Sequence, residues 1–285
     1  IRAMAELFGV SIDGETAALL CQQVENRVVG APCGIMDQMT AALGREDQLL
    51  ALLCQPAEIE GYPSVPESIR FWGIDSGVRH AVSGADYASV RSGAFMGYRI
   101  LAAEVGLPAS GPDADGRVCV EDERWGGYLA NVGVEEYESQ FEAMLPESMQ
   151  GREFVERYGA TTDSVTPVDP ERTYPVREPT QHPIREHERV TRFAELLSGS
   201  IDDMTLTEMG SLMYESHFSY SACGLGSDGT DRLVEMVRRA GPGAGLYGGK
   251  ITGGGSGGTV AVLGRREAGS EVASIAKRYG EETGC

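Results

Sequence analysis

The chain has 285 residues, enough for one large domain or two ordinary ones, and 41% of them are hydrophobic, which is ample for a packed core. Acidic residues number 43 against 24 basic, a net charge of −19. That argues against nucleic acid and against an anionic membrane surface, since both need a basic face, but leaves a small anionic ligand open, because backbone amides hold phosphate without net positive charge.

No run of about 18 apolar residues occurs, so no membrane-spanning helix is expected. The six cysteines, Cys21, Cys33, Cys54, Cys119, Cys223 and Cys285, form no CxxC pair and no zinc spacing, which predicts free thiols in a reducing, cytoplasmic setting. The chain begins at Ile1 and not at Met, which suggests that polypeptide has been removed upstream.

In chain order, residues 15–28 read as a helix, with Ala17, Ala18, Cys21 and Val24 at helical spacing and Asp13 as its cap, broken by Gly30 and Pro32. A second helix is expected over 35–43, with Met36, Met39 and Leu43 on one face and Gly44 as the stop. The segment QLLALLC reads as a buried strand, and IRFWGIDSG and VRHAVSG as two more with a glycine turn between them. A long helix begins at Asp86, residues 108–122 form a Gly/Pro/Asp-rich loop, and 137–145 a short amphipathic helix. Residues 161–183 hold five prolines in 23 positions, which predicts an extended surface excursion and not a core element. Helices follow in IREHERVTRFAELL, TLTEMGSLMYESHF and TDRLVEMVRRAG, and a last one over 271–282. The irregular mixture of strands and helices favours an α+β class over a regular βαβ succession.

The glycine-rich stretch ITGGGSGGTVAVL fits GxGxxG through Gly253, Gly255 and Gly258, but a dinucleotide fold needs that motif to open a helix, and a strand follows here. GLGSDG, residues 224–229, also fits and does lead into a helix, yet a poor strand precedes it and no acidic ribose partner stands at a convincing position. No GxxxxGK[ST] loop is present. A flexible linker is one reading of GGGSGG. A tight turn between two core strands, admitting a backbone or a ligand closely, is the other, and the β-branched residues on both sides favour it.

Two motifs stand in order: ENRVVGAPCGIMDQ near the start and KITGGGSGGTVAVL near the end. With SGADYASVR and SHFSYSACGLGSDGTDRLVEMV between them, the chain resembles the galactokinase family of GHMP kinases over essentially its whole length. The segments LPESMQGREFVERYG, VDPERTYPVREPTQHPI and SACGLGSDGTDRLV look like the arabinose-phosphorylating branch of that family, in which the kinase is fused to other modules. Two family motifs are absent, an early sugar-binding segment and a GLSSSA phosphate loop; both lie upstream of this chain's start in the family.

The resemblance therefore implies the later part of a longer kinase. Residues 1–70 would complete the N-terminal domain, and 71–285 would form the C-terminal ferredoxin-like α+β domain of the GHMP kinase fold. It implies ATP-dependent phosphorylation of a sugar's anomeric hydroxyl, L-arabinose or galactose, with Mg²⁺ carried by ligands upstream and the missing N-terminal segment as partner. A galactokinase and a non-catalytic sugar sensor remain alternatives, and so does a purely structural reading.

Asp37 falls in the first turn of its helix, where the helix dipole favours the ionised form, so it is either a capping charge or a base. By resemblance it aligns with the catalytic carboxylate, Gly34 with a sugar-contacting backbone position and Tyr87 with a sugar-contacting tyrosine. Gly253, Gly254, Gly255, Ser256 and Gly257 would shape the nucleotide side of the cleft. Lys250 could face phosphates, but a solvated lysine is the simpler expectation; Glu25 and Asn26 are expected to hold a turn together. His80, His182, His187 and His217 show no metal-ligand spacing and are expected to be surface or satisfied residues.

Overall fold

A computed structural model describes residues 1–79, 85–113 and 116–284. Its elements in order are α1 (Arg2–Leu7), α2 (Gly14–Val24), α3 (Met36–Leu43), β1 (Ala51–Leu53), β2 (Glu58–Gly61), β3 (Ile69–Asp75), α4 (Ala85–Glu104), α5 (Val134–Glu136), β4 (Ser148–Gln150), α6 (Gly151–Tyr158), β5 (Thr173–Pro175), α7 (Arg177–Leu197), α8 (Asp203–Tyr220), α9 (Asp228–Ala240), β6 (Leu246–Ile251), β7 (Thr259–Arg265) and α10 (Gly269–Thr283). His80, Cys285 and most of VRHAVSG lie outside the described residues. The chain divides into two compact units, one of residues 1–83, 190–217 and 227–285, the other of 84–189 and 218–226.

The first unit is organised by an antiparallel sheet in the order β3-β7-β6. Along β7 the side chains alternate between two cores, as a pleated strand requires. Val260 and Val262 pack with Leu233, Val237, Val272 and Ile275 of α9 and α10, while Leu263 packs with Leu197, Leu206, Met209 and Met213 of α7 and α8. Thus VAVL, a continuous apolar run, lies in a central strand covered on both faces. α2 and α3 form a smaller cluster of Ala18, Ile35 and Met39 with Ala57. Asp13 caps α2 as expected, its Oδ1 accepting from Thr16 N–H at 2.7 Å. Met36 does not share the buried face expected for it: Ile35 takes that place, and Met36 is exposed with Ile1, Met4, Leu7, Phe8, Val10, Val28 and Val29.

In the second unit α4 is the spine. Its Met96, Ile100 and Leu101 pack with Trp125, Tyr137, Phe141, Leu145, Phe154 and Ile184. The proline-rich segment 161–183 is not the surface excursion its composition predicts. It supplies Tyr174 and Val176 to that core, forms β5 against β4, and starts α7 at Arg177. Small residues on α4 admit it: a Cβ on Gly93 would sit 1.9 Å from the Pro175 carbonyl oxygen, and one on Gly97 would sit 1.7 Å from Thr180 Oγ1. The prolines fit because β4 and β5 make a two-stranded ribbon with no central strand, and Pro179 lies in the first turn of α7, where an N–H has no helical acceptor. Only Pro183 lies deeper inside the helix.

Candidate active site

After α2 the chain passes through a π-turn over Glu25–Val29 that ends at Gly30, whose φ of 77° is left-handed. Side chains on both flanks then stitch the loop APCG. Asn26 Oδ1 accepts the Cys33 N–H at 2.8 Å, and Gln22 Nε2 donates to the Cys33 carbonyl at 3.4 Å. From α3, Gln38 Nε2 donates to Glu25 Oε1 at 2.9 Å and reaches Cys33 Sγ at 3.6 Å. Glu25 and Asn26 therefore hold the turn, as expected of them. The result aims α3 so that Ile35 and Met39 are buried while Asp37 and Thr40 are exposed. Gly34 is exposed too, with open space where a Cβ would stand.

The glycine stretch is a structured turn between β6 and β7. Thr252 closes it, its N–H and Oγ1 both donating to the Thr259 carbonyl at 3.0 and 2.9 Å. The end of β3 clamps it from the side: Ser76 N–H donates to the Gly258 carbonyl at 2.9 Å, and Gly258 N–H donates to the Val78 carbonyl at 3.2 Å. At Gly257 the backbone has φ 136°, and a Cβ would lie 2.6 Å from the Val78 oxygen. That is a position only glycine fills without strain, and it removes the linker reading.

These two sequence-distant pieces meet. Met36, Asp37, Thr40 and Ala41 form one wall of an open cleft of about 640 Å³, and Thr252 to Gly255 with Gly257 to Thr259 form the other. Asp37 is thus brought together with Gly253, Gly254, Gly255 and Gly257, while Ser256, held at φ 58°, does not line the cleft. Thr40 and Ala41 follow Asp37 at helical i+3 and i+4 spacing, so their place on its face was readable from the sequence; Thr252 and Thr259 are the residues that bracket the loop. Cys54 is a neighbour that no sequence pattern indicated. Desolvation raises its thiol pKa, and the Asp37 carboxylate pushes it the same way. Tyr87 belongs to the second unit, in the first turns of α4, where it meets Arg91.

Among the described residues, no group of three or more His, Cys, Asp or Glu side chains could hold a metal ion, and no helix is long and apolar enough to cross a membrane. His217 is buried and satisfied. Its Nδ1 accepts the Ile251 N–H at 3.3 Å, so the proton stands on Nε2, 3.2 Å from Asp231 Oδ1. Burial lowers its pKa, Lys250 adding to that and Asp231 opposing it, so the ring is neutral. His182 shares a hydrogen bond with Ser219 Oγ at 2.9 Å. Cys21, Cys33, Cys54, Cys119 and Cys223 form no disulfide.

A carboxylate and a glycine turn thus line one open cleft, on an α+β frame whose sheet carries that turn. The model described as GHMP kinases N terminal domain matches residues 1–45, and that described as GHMP kinases C terminal matches residues 197–282. The chain belongs to this family. It is 46% identical to L-arabinokinase of Arabidopsis thaliana over 99% of this chain and 29% of that protein. It is 30% identical to a galactokinase of Chloroflexus aggregans over 96% of this chain and 57% of that one. The crystal structure of Lactococcus lactis galactokinase complexed with galactose superposes with a TM-score of 0.70 at 17% identity, covering 99% of this chain and 60% of that one, a likeness of fold. The chain therefore spans less than two thirds of the length of each of these proteins.

Proposed function

We propose that this chain is the later part of an ATP-dependent sugar 1-kinase of the L-arabinokinase type. The observation that carries the proposal is the single cleft shared by Asp37 and the Gly253–Gly257 turn; the 46% identity to L-arabinokinase supports the choice of branch. In this reading residues 1–70 finish the N-terminal domain and 71–285 form the C-terminal one. The segment that precedes the matching region in the longer relatives supplies the phosphate-gripping loop.

The chemistry assigned to this chain is modest and specific. The Asp37 carboxylate accepts the proton of the sugar's anomeric hydroxyl as that oxygen attacks the γ-phosphorus of ATP and ADP departs. The open backbone at Gly34 lets the sugar approach the loop that holds Asp37. Tyr87 contributes a hydroxyl contact to the sugar. The glycine turn, stiffened by Thr252 and by the end of β3, gives the nucleotide side of the cleft a wall without side chains. Mg²⁺ would be held by ligands in the segment upstream, as the family resemblance implies; Asp37, the one carboxylate lining the cleft among the described residues, makes no metal cage by itself. The setting is cytoplasmic.

The test is sugar-dependent ATP consumption by the full-length protein across a panel of pentoses and hexoses. L-Arabinose should give the highest kcat/KM. Galactose, differing by an exocyclic CH₂OH, should trail by about 10- to 200-fold if a merely roomy pocket separates the two, and by more if the pocket is closed against that group. A higher kcat/KM for galactose would move the protein to the galactokinase branch, and no turnover with any sugar would leave it a sugar-binding relative without catalysis.

A further inference from the structure

Buried polar groups away from the cleft concentrate at one place in the second unit. Asp163, in the segment between α6 and β5, is 8% exposed. Its carboxylate accepts from Arg91 Nε and Nη2, both at 2.9 Å, from the N–H groups of Val165 and Thr166, both at 3.1 Å, and from the Thr166 hydroxyl. Arg91 stands one helical turn after Tyr87 on α4, its guanidinium 5.1 Å from the Phe95 ring centroid. The same guanidinium meets the Tyr87 hydroxyl.

As a stabilising device this is a poor choice. A buried ion pair returns little more than it costs to desolvate, and an apolar substitute of similar volume often does as well. What a fully satisfied bidentate pair does provide is a fixed position: the planar guanidinium is held at two of its nitrogens, leaving its remaining N–H groups aimed in set directions. Tyr87 needs such a fix, because it lies in the first turn of α4, where helices fray.

We propose that Asp163, acting through Arg91, is a positioning residue for Tyr87, so that the loop between α6 and β5 sets where the Tyr87 hydroxyl is presented; the proposal rests on the reading of Tyr87 as a sugar contact. The variant that tests it is Arg91→Lys, which keeps the positive charge beside Asp163 but replaces the fork by a point donor. In the full-length kinase it should raise the sugar KM by about 3- to 10-fold, the low end of coupling within one hydrogen-bonded network. The kcat should change less than about twofold, as for an interaction made equally in ground and transition states. In a Tyr87→Phe background the same change should add nothing, and Asp163→Asn should repeat the pattern. A KM increase of equal size in both backgrounds, or a fall in kcat at unchanged KM, overturns the proposal, as does loss of the folded state in Arg91→Lys by circular dichroism. In protein labelled with ¹³C-tyrosine, the Tyr87 resonance, identified by its loss in Tyr87→Phe, should shift in Arg91→Lys. An unmoved resonance overturns the coupling whatever the sugar does. A shifted resonance with an unchanged sugar KM in Tyr87→Phe overturns the sugar-contact reading instead, and with it the role of the pair in catalysis.

Discussion

Gly257 offers the sharpest test that the glycine turn is built and not slack. An alanine there must adopt φ 136° and place its Cβ 2.6 Å from the Val78 carbonyl oxygen and 3.0 Å from Val78 Cγ1. Backbone of that kind costs an L-residue about 1–3 kcal/mol, and forcing an atom into a packed contact costs about 1–3 kcal/mol more. Gly253 is the matched control: its φ is also positive, at 69°, but nothing lies within 4 Å of its would-be Cβ, so alanine there carries only the left-handed penalty of about 1–2 kcal/mol. The two variants should therefore differ by roughly 1–3 kcal/mol, or about 2–10 °C in Tm. Thermal and urea unfolding, followed by tryptophan fluorescence from Trp72 on the neighbouring strand, would read the difference. Equal losses at the two positions would refute the clamp by β3 and return GGGSGG to a flexible connection.

Three further outcomes are expected. If the proposed function holds, Asp37→Asn in the full-length protein should lower kcat by about 10²–10⁴, the usual worth of a general base, with sugar affinity largely kept; near wild-type turnover would remove Asp37 from the chemistry. The 285-residue chain alone should show no sugar-dependent ATP turnover and should bind a hydrophobic dye through the exposed apolar residues of 1–36, Leu7, Phe8, Val28 and Val29 foremost. Acid should weaken the fold in two windows. As pH falls below about 6.5 the unfolded chain takes up a proton at the position of His217 that the buried, neutral ring resists, so stability declines there first. Below about 4, stability is lost again as the carboxyls of Asp122 and Asp163 are protonated through their lowered native values. In each, burial opposes ionisation but is outweighed, by backbone N–H groups led by Trp125 and Gly127 at Asp122 and by Arg91 at Asp163. A His217→Gln variant that kept the first decline undiminished in urea titrations would contradict its assignment.

Much of the first unit was legible because local rules and tertiary packing agree there. Asp13 caps where a capping residue is wanted, Gly30 ends the helix with a left-handed φ, and TVAVL is apolar at every inward position of a strand covered on both faces. The motif around Asp37 was legible as a turn because its stitching is local: Asn26 reaches seven residues and Glu25 thirteen. Met36 shows the limit of periodicity, since the same 3.6-residue pattern is satisfied with Ile35 buried and Met36 turned to the cleft, and only the partner surface decides which.

Segment 161–183 failed for a different reason. Proline content reports which backbone hydrogen bonds are missing, not which side chains are buried. A ribbon strand and the first turn of a helix both tolerate missing donors, so five prolines are compatible with a place in the core. What decides is the surface presented by α4: Gly93 and Gly97 leave room at backbone distance, and Pro175 and Thr180 fill it. That complementarity spans more than 80 positions and has no local signature in either segment. The same separation governs both functional features. Asp37 faces a turn more than 200 residues away, and Arg91 meets a carboxylate 72 positions on. In both, each half taken alone reads as ordinary, a first-turn acid or a helical arginine, and becomes chemically distinctive only when the fold supplies the other half. The two halves need not be equally replaceable. The Asp37 side, read as a base, is a side-chain identity, whereas the glycine side is a backbone shape: at Gly257 only glycine holds it without strain, while at Gly253, with nothing within 4 Å of a Cβ, a small residue should hold it at the cost of a left-handed φ alone.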